Sequence, residues 1–295
     1  PAVTLVVPSR SVKHQEALER LFTRVCELSA LPGVAQRVLS VAGDEHADVE
    51  DLLHVVEQDP TLVIRILGSV NSAYRGLRQQ VGDLRTAIAL LGFREVRNLA
   101  ITVYVARLTD SGEPYRNYSR TGLWRHLVAV GEVARVISKV CRRAEPEEAF
   151  LAGLLHDIGA RLIDQYMRPN WRRVLDMTDE GIEAIEAERH VLTFSRSDLS
   201  SYIAAKSLLP RRTCDAIAYH REPSQFRGKD RELLNVICLA NYLTELRGLT
   251  AIGVPEAVPP GDDVYYGLGL RTEQMSELLQ ELEPALAAAE ALAGI

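Results

Sequence analysis

From about residue 11 to residue 248 apolar side chains recur every three to four positions, and a chain with that period folds into packed amphipathic helices. "HQEALERLFTRVCEL" (14–28) shows the pattern: Leu18, Leu21, Phe22, Val25 and Leu28 fall on one stripe. Few runs alternate at the strand period, no heptad persists, and no repeat of 20 to 50 residues stands out. The fold class is therefore all-α, a helical bundle.

Local punctuation divides the helices. Pro32-Gly33 opens a short helix through Leu39. Asp48 caps "VEDLLHVVEQ", with Asp51 three residues on completing a capping-box pattern. Asp59-Pro60 starts the next helix, which ends near Asn71, because the carboxylate can accept free amides while Pro at the first position loses no hydrogen bond. "DLRTAIALLG" stops at Gly92, expected as a left-handed C-cap, before "FREVRNLAITVYVARL" resumes. After the polar break "TDSGEPYRNYS" come "LWRHLVAVGEVARVISKV", a helix reading "PEEAFLAGLLHDIGARLIDQY", and further helices at 178–190, 195–209, 212–220 and 230–247. Residues 248–270, with three prolines and five glycines, read as a linker or loop. The C-terminal helix, 271–295, is expected to be interrupted at Pro284.

With 47% hydrophobic and 25% charged residues the composition is that of a globular protein, and a net charge of −6 draws the surface towards neither nucleic acid nor an anionic membrane. Cys26, Cys141, Cys214 and Cys238 form no C-x-x-C pair and sit among apolar neighbours, which predicts buried reduced thiols. "PAVTLVVPSR" lacks a basic start and breaks at Pro8, so no signal peptide or membrane span is read and a cytoplasmic location is expected. "GLGLR" at 267 lacks the spacing of a nucleotide-binding P-loop.

The chemistry centres on "LLHDIGA" (154–160). Metal hydrolysis at a helical site needs several neutral imidazoles and a carboxylate converging from different helices, so His156-Asp157 is only a fragment. "LWRHL" supplies His126 upstream and "DAIAYHREP" supplies His220 downstream, and convergence in a bundle interior would join them.

The order "LPGVAQRVLSV", "VVEQDPTLVIRILGSVNSAY", "TAIALLG", "LWRHLVAV", "AFLAGLLHDIG" and "SLLP" before "AIAYH" resembles the HDOD family, the HD-related output domains of bacterial signalling proteins. The resemblance covers roughly residues 24 to 247. It implies an all-helical fold whose second half is similar to the HD phosphohydrolase core, acting as a regulatory or scaffolding module without established catalysis. On that basis residues 1–23 are an N-terminal extension and the start of the first helix, and 24–247 the domain, with a first lobe at about 24–110 and an HD-like lobe at about 118–247. The superfamily pattern places its first histidine at His126, its doublet at His156 and Asp157, and its downstream histidine at His220. Two positions depart: a further histidine slot falls at Arg196, His190 being six residues too early, and the closing aspartate falls at Asn241.

An amide in place of a carboxylate is a weaker ligand for a hard dication, and a guanidinium repels one while pairing with Asp157 in a forked geometry. No metal or other cofactor is therefore expected. Arg196, or hydrogen bonding among His126, His156 and Asp157, replaces the cation; a divalent ion, if held, would take His126, His156 and Asp157. The expected function is non-catalytic signal transduction through a protein regulator or effector. The alternatives are a metal-dependent phosphohydrolase of a nucleotide or cyclic dinucleotide, and a module that binds a nucleotide messenger without cleaving it.

Elsewhere structural roles are expected. His14, His46 and His54 are solvated, His190 caps a helix end, and Trp124 and Trp171 anchor core or interface. "RPNWRR" (168–173) and "LLPRRTC" near 211 read as solvated faces or anchors for carboxylates, with a phosphate or an acidic partner as the alternative occupant. Tyr74, Arg75 and Arg78, in the polar connection 71–84, are candidate partner contacts.

Overall fold

The structure, a computed structural model, describes residues 33–42, 44, 46–73, 81–110, 112–207 and 209–294, with 16, 19 and 20 before them. Tyr74, Arg75, Arg78, His14 and Cys26 lie outside the described residues, as does nearly all of the extension at 1–23. The described residues hold helices and no strand, as the periodicity requires, and divide into two compact units, one within Leu28–Leu108 and the other within Pro1–Glu27 and Thr109–Ile295.

The smaller unit contains α1 (Gly33–Ala42), α2 (Val49–Val56), α3 (Pro60–Ala73), α4 (Leu84–Leu91) and nearly all of α5 (Phe93–Thr109). Its core joins Leu52, Val56, Leu62, Ile66, Val70, Ile88 and Val96, all at most 2% exposed. Asp48 and Asp51 close the expected capping box on α2. Asp59 accepts from the Thr61 and Leu62 amides at 2.9 and 3.3 Å, and Arg107 donates to both its carboxylate oxygens at 3.2 Å. The Asp-Pro pair thus starts α3 and ties it to α5. Asn71 works like a backbone unit: its Nδ2 donates to the carbonyls of Leu67 and Val81, and its Oδ1 accepts from the Val81 amide at 2.8 Å. Gly92 ends α4 with φ 81° but ψ 163°, so its positive φ is as expected while its conformation is not left-handed helical.

The larger unit is built on α6 (Arg120–Cys141), the long helix that carries His126 and Trp124. Around it lie α7 (Pro146–Leu155), α8 (Ile158–Tyr166), α9 (Arg168–Asp179), α10 (Ala184–Leu192), α11 (Arg196–Lys206), α12 (Arg211–Tyr219), α13 (Glu232–Leu246), α14 (Asp262–Leu268) and α15 (Thr272–Ala293). Gly153 lets α7 lie directly on α6: a Cβ there would sit 2.8 Å from the Gly131 Cα, a distance real side chains do not tolerate.

Four expectations change. The single helix across 146–166 breaks at His156-Asp157, so the doublet sits at a junction of two helices, not within one. The helix expected at 178–190 is two, α9 and α10, divided by a turn at Gly181 (φ 92°). Helix α15 runs through Pro284 unbroken. Residues 248–270 include α14 and the buried pair Ala251 and Ile252 (each 1% exposed), because apolar side chains outweigh the Pro and Gly content there. Trp171 is buried at 1% exposure, Trp124 donates to the Ala293 carbonyl, and Arg211 and Arg212 anchor Asp215 and Glu148.

Candidate functional site

At the junction of α7 and α8, Asp157 precedes the first turn of α8 yet caps nothing; its carboxylate turns inward and is fully buried. The glycine two residues on makes this geometry possible. A Cβ on Gly159 would lie 2.1 Å from the Arg196 carbonyl oxygen, so only glycine lets the first turn of α11 abut α8. Ser200 fastens the contact, accepting from the Gly159 amide and donating to the Arg196 carbonyl, each at 2.9 Å. Arg196 is thereby delivered to Asp157.

Three histidines converge there from α6, the α7–α8 junction and the end of α12: His126, His156 and His220, at 0, 0 and 4% exposure. Each turns Nδ1 to a backbone carbonyl: His126 to Leu249 at 2.8 Å, His156 to Gly153 at 2.5 Å, His220 to Ile217 at 2.8 Å. A carbonyl only accepts, so each Nδ1 carries the ring proton and each Nε2 presents a lone pair. Burial pushes all three down, His126 and His156 to about 3 and His220 to about 4, so the rings are neutral at pH 7. The Nε2 atoms of His126 and His156 nevertheless face each other at 3.1 Å, and the Nε2 of His220, 3.7 Å from Asp157 Oδ1, is buried with no hydrogen-bond partner.

The charges close around Asp157. Arg196 Nε and an Arg221 terminal nitrogen both donate to Asp157 Oδ2, at 2.9 and 2.7 Å. Burial opposes the charge of Asp157, yet the two guanidiniums hold its carboxyl well below the usual range. The expected fork does not form: Arg196 spreads its nitrogens over three carboxylates, Asp157, Glu188 and Glu256, because they approach it from three sides. Arg221 also lies 3.5 Å from Glu245 and 3.2 Å from Glu256. Burial raises Glu188 despite Arg196 and raises Glu245 to about 6 despite Arg221.

His126, His156, Asp157, Arg196 and His220 are thus brought together. Asn241 is not hydrogen-bonded to them; its Nδ2 donates to Glu245 four residues on at 3.2 Å and its Oδ1 is buried without a partner. Sequence reasoning missed Arg221, Glu188, Glu245 and Glu256. Arg221 directly follows His220, and that adjacency was the one available signal.

The HDOD domain model matches residues 28–223. The chain belongs to the HDOD family. A relative in Treponema pallidum (strain Nichols), an uncharacterized protein, is 25% identical over 251 residues, which are 80% of this chain but 46% of that protein, so the chain spans about half of its length. Among solved structures, a Marinobacter aquaeolei VT8 protein provisionally named a signal transduction protein is 23% identical with a TM-score of 0.72, covering 95% of this chain and 65% of that one. A Shewanella amazonensis SB2B protein provisionally named a phosphohydrolase is 20% identical with a TM-score of 0.70, covering 92% and 97%. These likenesses match the all-α HDOD fold. Asn241, Glu245 and Glu256 lie beyond the stretch the HDOD model matches, so part of the wall around His156-Asp157 is supplied from outside it.

The HD-like fold implies a divalent metal, and the donor set can be tested for it. Two imidazole nitrogens at right angles on one ion, each about 2.1 Å away, lie about 3 Å apart. His126 and His156 have that spacing, and their ligand atoms and that of Asp157 all fall within 4.8 Å of one another. Nδ1–H bonds to carbonyls are what orient metal-bound histidines. His126, His156 and Asp157 are thus spaced to hold one dication, while Arg196 and Arg221 already occupy Asp157 Oδ2. No helix among the described residues is long and apolar enough to cross a membrane.

Proposed function

We propose that this HDOD protein is a non-catalytic output module of a signalling pathway, working through contact with a protein regulator or effector and keeping its HD-type pocket as a structural core. The observation that carries this reading is the pair of guanidiniums on one oxygen of Asp157. A carboxylate ligand that has accepted two arginine hydrogen bonds has given them the charge a catalytic ion would use, and Asn241 offers no replacement. The signalling name of the Marinobacter protein is in line with it. The contact surface is assigned to the first unit, where Tyr74, Arg75 and Arg78 follow α3 in sequence and Ile64 is 70% exposed.

A second reading, a metal-dependent phosphohydrolase of a nucleotide or cyclic dinucleotide, draws on the facing Nε2 lone pairs. His126, His156 and Asp157 would hold the ion, which when bound supplies Lewis acidity and an activated water. In that case Arg196 and Arg221 would orient Asp157 and neutralise substrate charge. Calorimetry and turnover assays on the full chain against a nucleotide panel, with and without manganese, separate the two. The module reading expects no hydrolysis, and partner binding that survives His156→Ala but is lost with Ile64→Glu; metal-dependent release of phosphate that His156→Ala abolishes would overturn it.

A further inference from the structure

Beside the His–Arg cluster the larger unit has an open cleft of about 510 Å³. Its walls set Ile182, Ile185, Pro223, Tyr242, Val258 and Pro260 beside Glu183 and Glu222, the latter paired with Arg189, and its floor is His220, Arg221 and Asn241. That size is in the range of small-molecule sites, as is the plan of apolar side chains with a few convergent polar groups. The floor is incompletely satisfied: His220 Nε2, Arg221 Nε and Asn241 Oδ1 are buried without a hydrogen-bond partner, and His220 and Asn241 are 4% and 8% exposed. Leaving such groups unpaired is costly unless something enters to meet them.

One side of the cleft is a strap, residues 254–261, that contributes Val254, Pro255, Glu256 and the residues following. Among the described residues no backbone–backbone hydrogen bond holds 250–260, and Val258 at its middle is 72% exposed. What ties the strap down is Glu256, whose Oε2 accepts from Arg196 at 2.5 Å and lies 3.2 Å from Arg221. The strap therefore presents a carboxylate on an apolar, proline-flanked body to two buried guanidiniums.

We propose that this cleft binds a small organic monoanion, a carboxylate or phosphodiester on an apolar body, which takes the place of Glu256 on Arg196 and Arg221 and releases the strap. The charge balance sets the ligand class. Four carboxylates, Asp157, Glu188, Glu245 and Glu256, already face two guanidiniums, so an added anion is repelled, whereas exchange of one monoanion for another leaves the buried charge unchanged. A dianion would worsen the balance. The apolar body lies against Ile182, Ile185 and Tyr242, and Arg221 Nε gains the acceptor it lacks. The site requires neither a bound metal nor a protein partner; it shares Arg196 and Arg221 with the hydrolase reading, and binding without manganese or turnover tells the two apart.

The test titrates the full chain with 4-phenylbutyrate, dibutyl phosphate and, as the dianion control, inorganic phosphate at pH 8. At least one monoanion is expected to bind one-to-one, at least tenfold more tightly to Glu256→Gln than to the wild type, because an internal competitor that holds nine tenths of the sites lowers apparent affinity by that factor. The tighter of the two monoanions identifies the headgroup. Inorganic phosphate is expected to bind at least tenfold more weakly than that monoanion. In the wild type, cleavage after Glu256 by a glutamate-specific protease, followed by mass spectrometry, should quicken on saturation, because the free chain holds that carboxylate on Arg196. Equal affinity in Glu256→Gln, phosphate binding as well as the monoanions, or no binding by either monoanion overturns the proposal. If Glu256→Gln fails to fold, the wild-type proteolysis decides alone, and unchanged cleavage after Glu256 at saturation refutes the proposal.

Discussion

Arg196→Met removes the charge on which the buried cluster depends and keeps nearly the same length of apolar stem. Arg196 is 1% exposed and pairs with Asp157 and Glu188, themselves 0 and 1% exposed, and with Glu256. Arg221 still reaches Asp157 and Glu256 in the variant, so Glu188 is the carboxylate left with no guanidinium. Stranding one buried member of an ion pair costs about 3–5 kcal/mol. For a unit of this size that lowers the melting temperature by roughly 6–20 °C. The two tryptophans of the chain, Trp124 and Trp171, both lie in the larger unit, so urea unfolding followed by their fluorescence reads this unit alone. The pH dependence has a definite sign. Burial already raises the Glu188 carboxyl against the pull of Arg196, and removing Arg196 raises it further. An acid whose folded pKa exceeds its unfolded value binds more protons when folded, so the deficit grows as pH rises through the folded pKa and shrinks towards pH 4.5. Replacing Glu188 by Leu in the same chain should recover about 2 kcal/mol or more, because an apolar pair no longer carries a stranded charge. A loss below about 1 kcal/mol for Arg196→Met, the value of an exposed pair, would refute the buried-cluster argument.

Gly159→Ala drives a methyl onto the Arg196 carbonyl and should destabilise by about 1–3 kcal/mol in the same urea assay. In the smaller unit, Asn71→Ala removes the bonds to Leu67 and Val81, so the Val81 amide should exchange at least tenfold faster by hydrogen-exchange mass spectrometry. Thr213→Val deletes the hydroxyl that donates to Glu148 at 2.7 Å, and a loss of about 1–2 kcal/mol is expected in thermal melts. Burial pushes the Cys214 and Cys238 thiols up to about 11 and about 12, so both should resist Ellman's reagent at pH 8 until the chain is unfolded.

The helical class was legible because a 3.6-residue period persists whatever the tertiary partners are, and the caps at Asp48 and Asp59 were legible because their chemistry is local. The misreadings are tertiary. Pro284 stays inside α15 because the helix buries Leu278, Leu282, Ala285 and Leu286 on both sides of it, and that packing outweighs the lost hydrogen bond. Residues 248–270 read as a linker because composition reports Pro and Gly, whereas burial of Ala251 and Ile252 depends on distant neighbours. The break at His156-Asp157 was hidden by the apolar run around it, in which both flanking helices keep their own periodicity.

The site divides along the same line, between residues a motif names and residues only the fold can supply. His126, His156, Asp157 and His220 could be picked out because imidazoles and a carboxylate carry chemistry wherever they meet; Arg196 could be picked out because it stood where another histidine belonged. Glu188 could not, since on α10 it reads as one charge among Glu186, Arg189 and His190, and only the geometry shows that its side chain alone of these is fully buried. Glu256 is harder still. Its place beside Arg196 requires α13 to end, the chain to turn at Gly248 and Gly253 with positive φ, and the strap to cross the cleft. A carboxylate 60 residues from its partner, within a stretch whose composition suggests a linker, has no local signature. Yet it changes the meaning of Arg196. An arginine opposite Asp157 alone would replace a metal ion with a single charge. An arginine shared by three carboxylates, one of them on a strap held by little else, belongs to a cluster whose charge can be exchanged at one point, and that point is the one facing solvent.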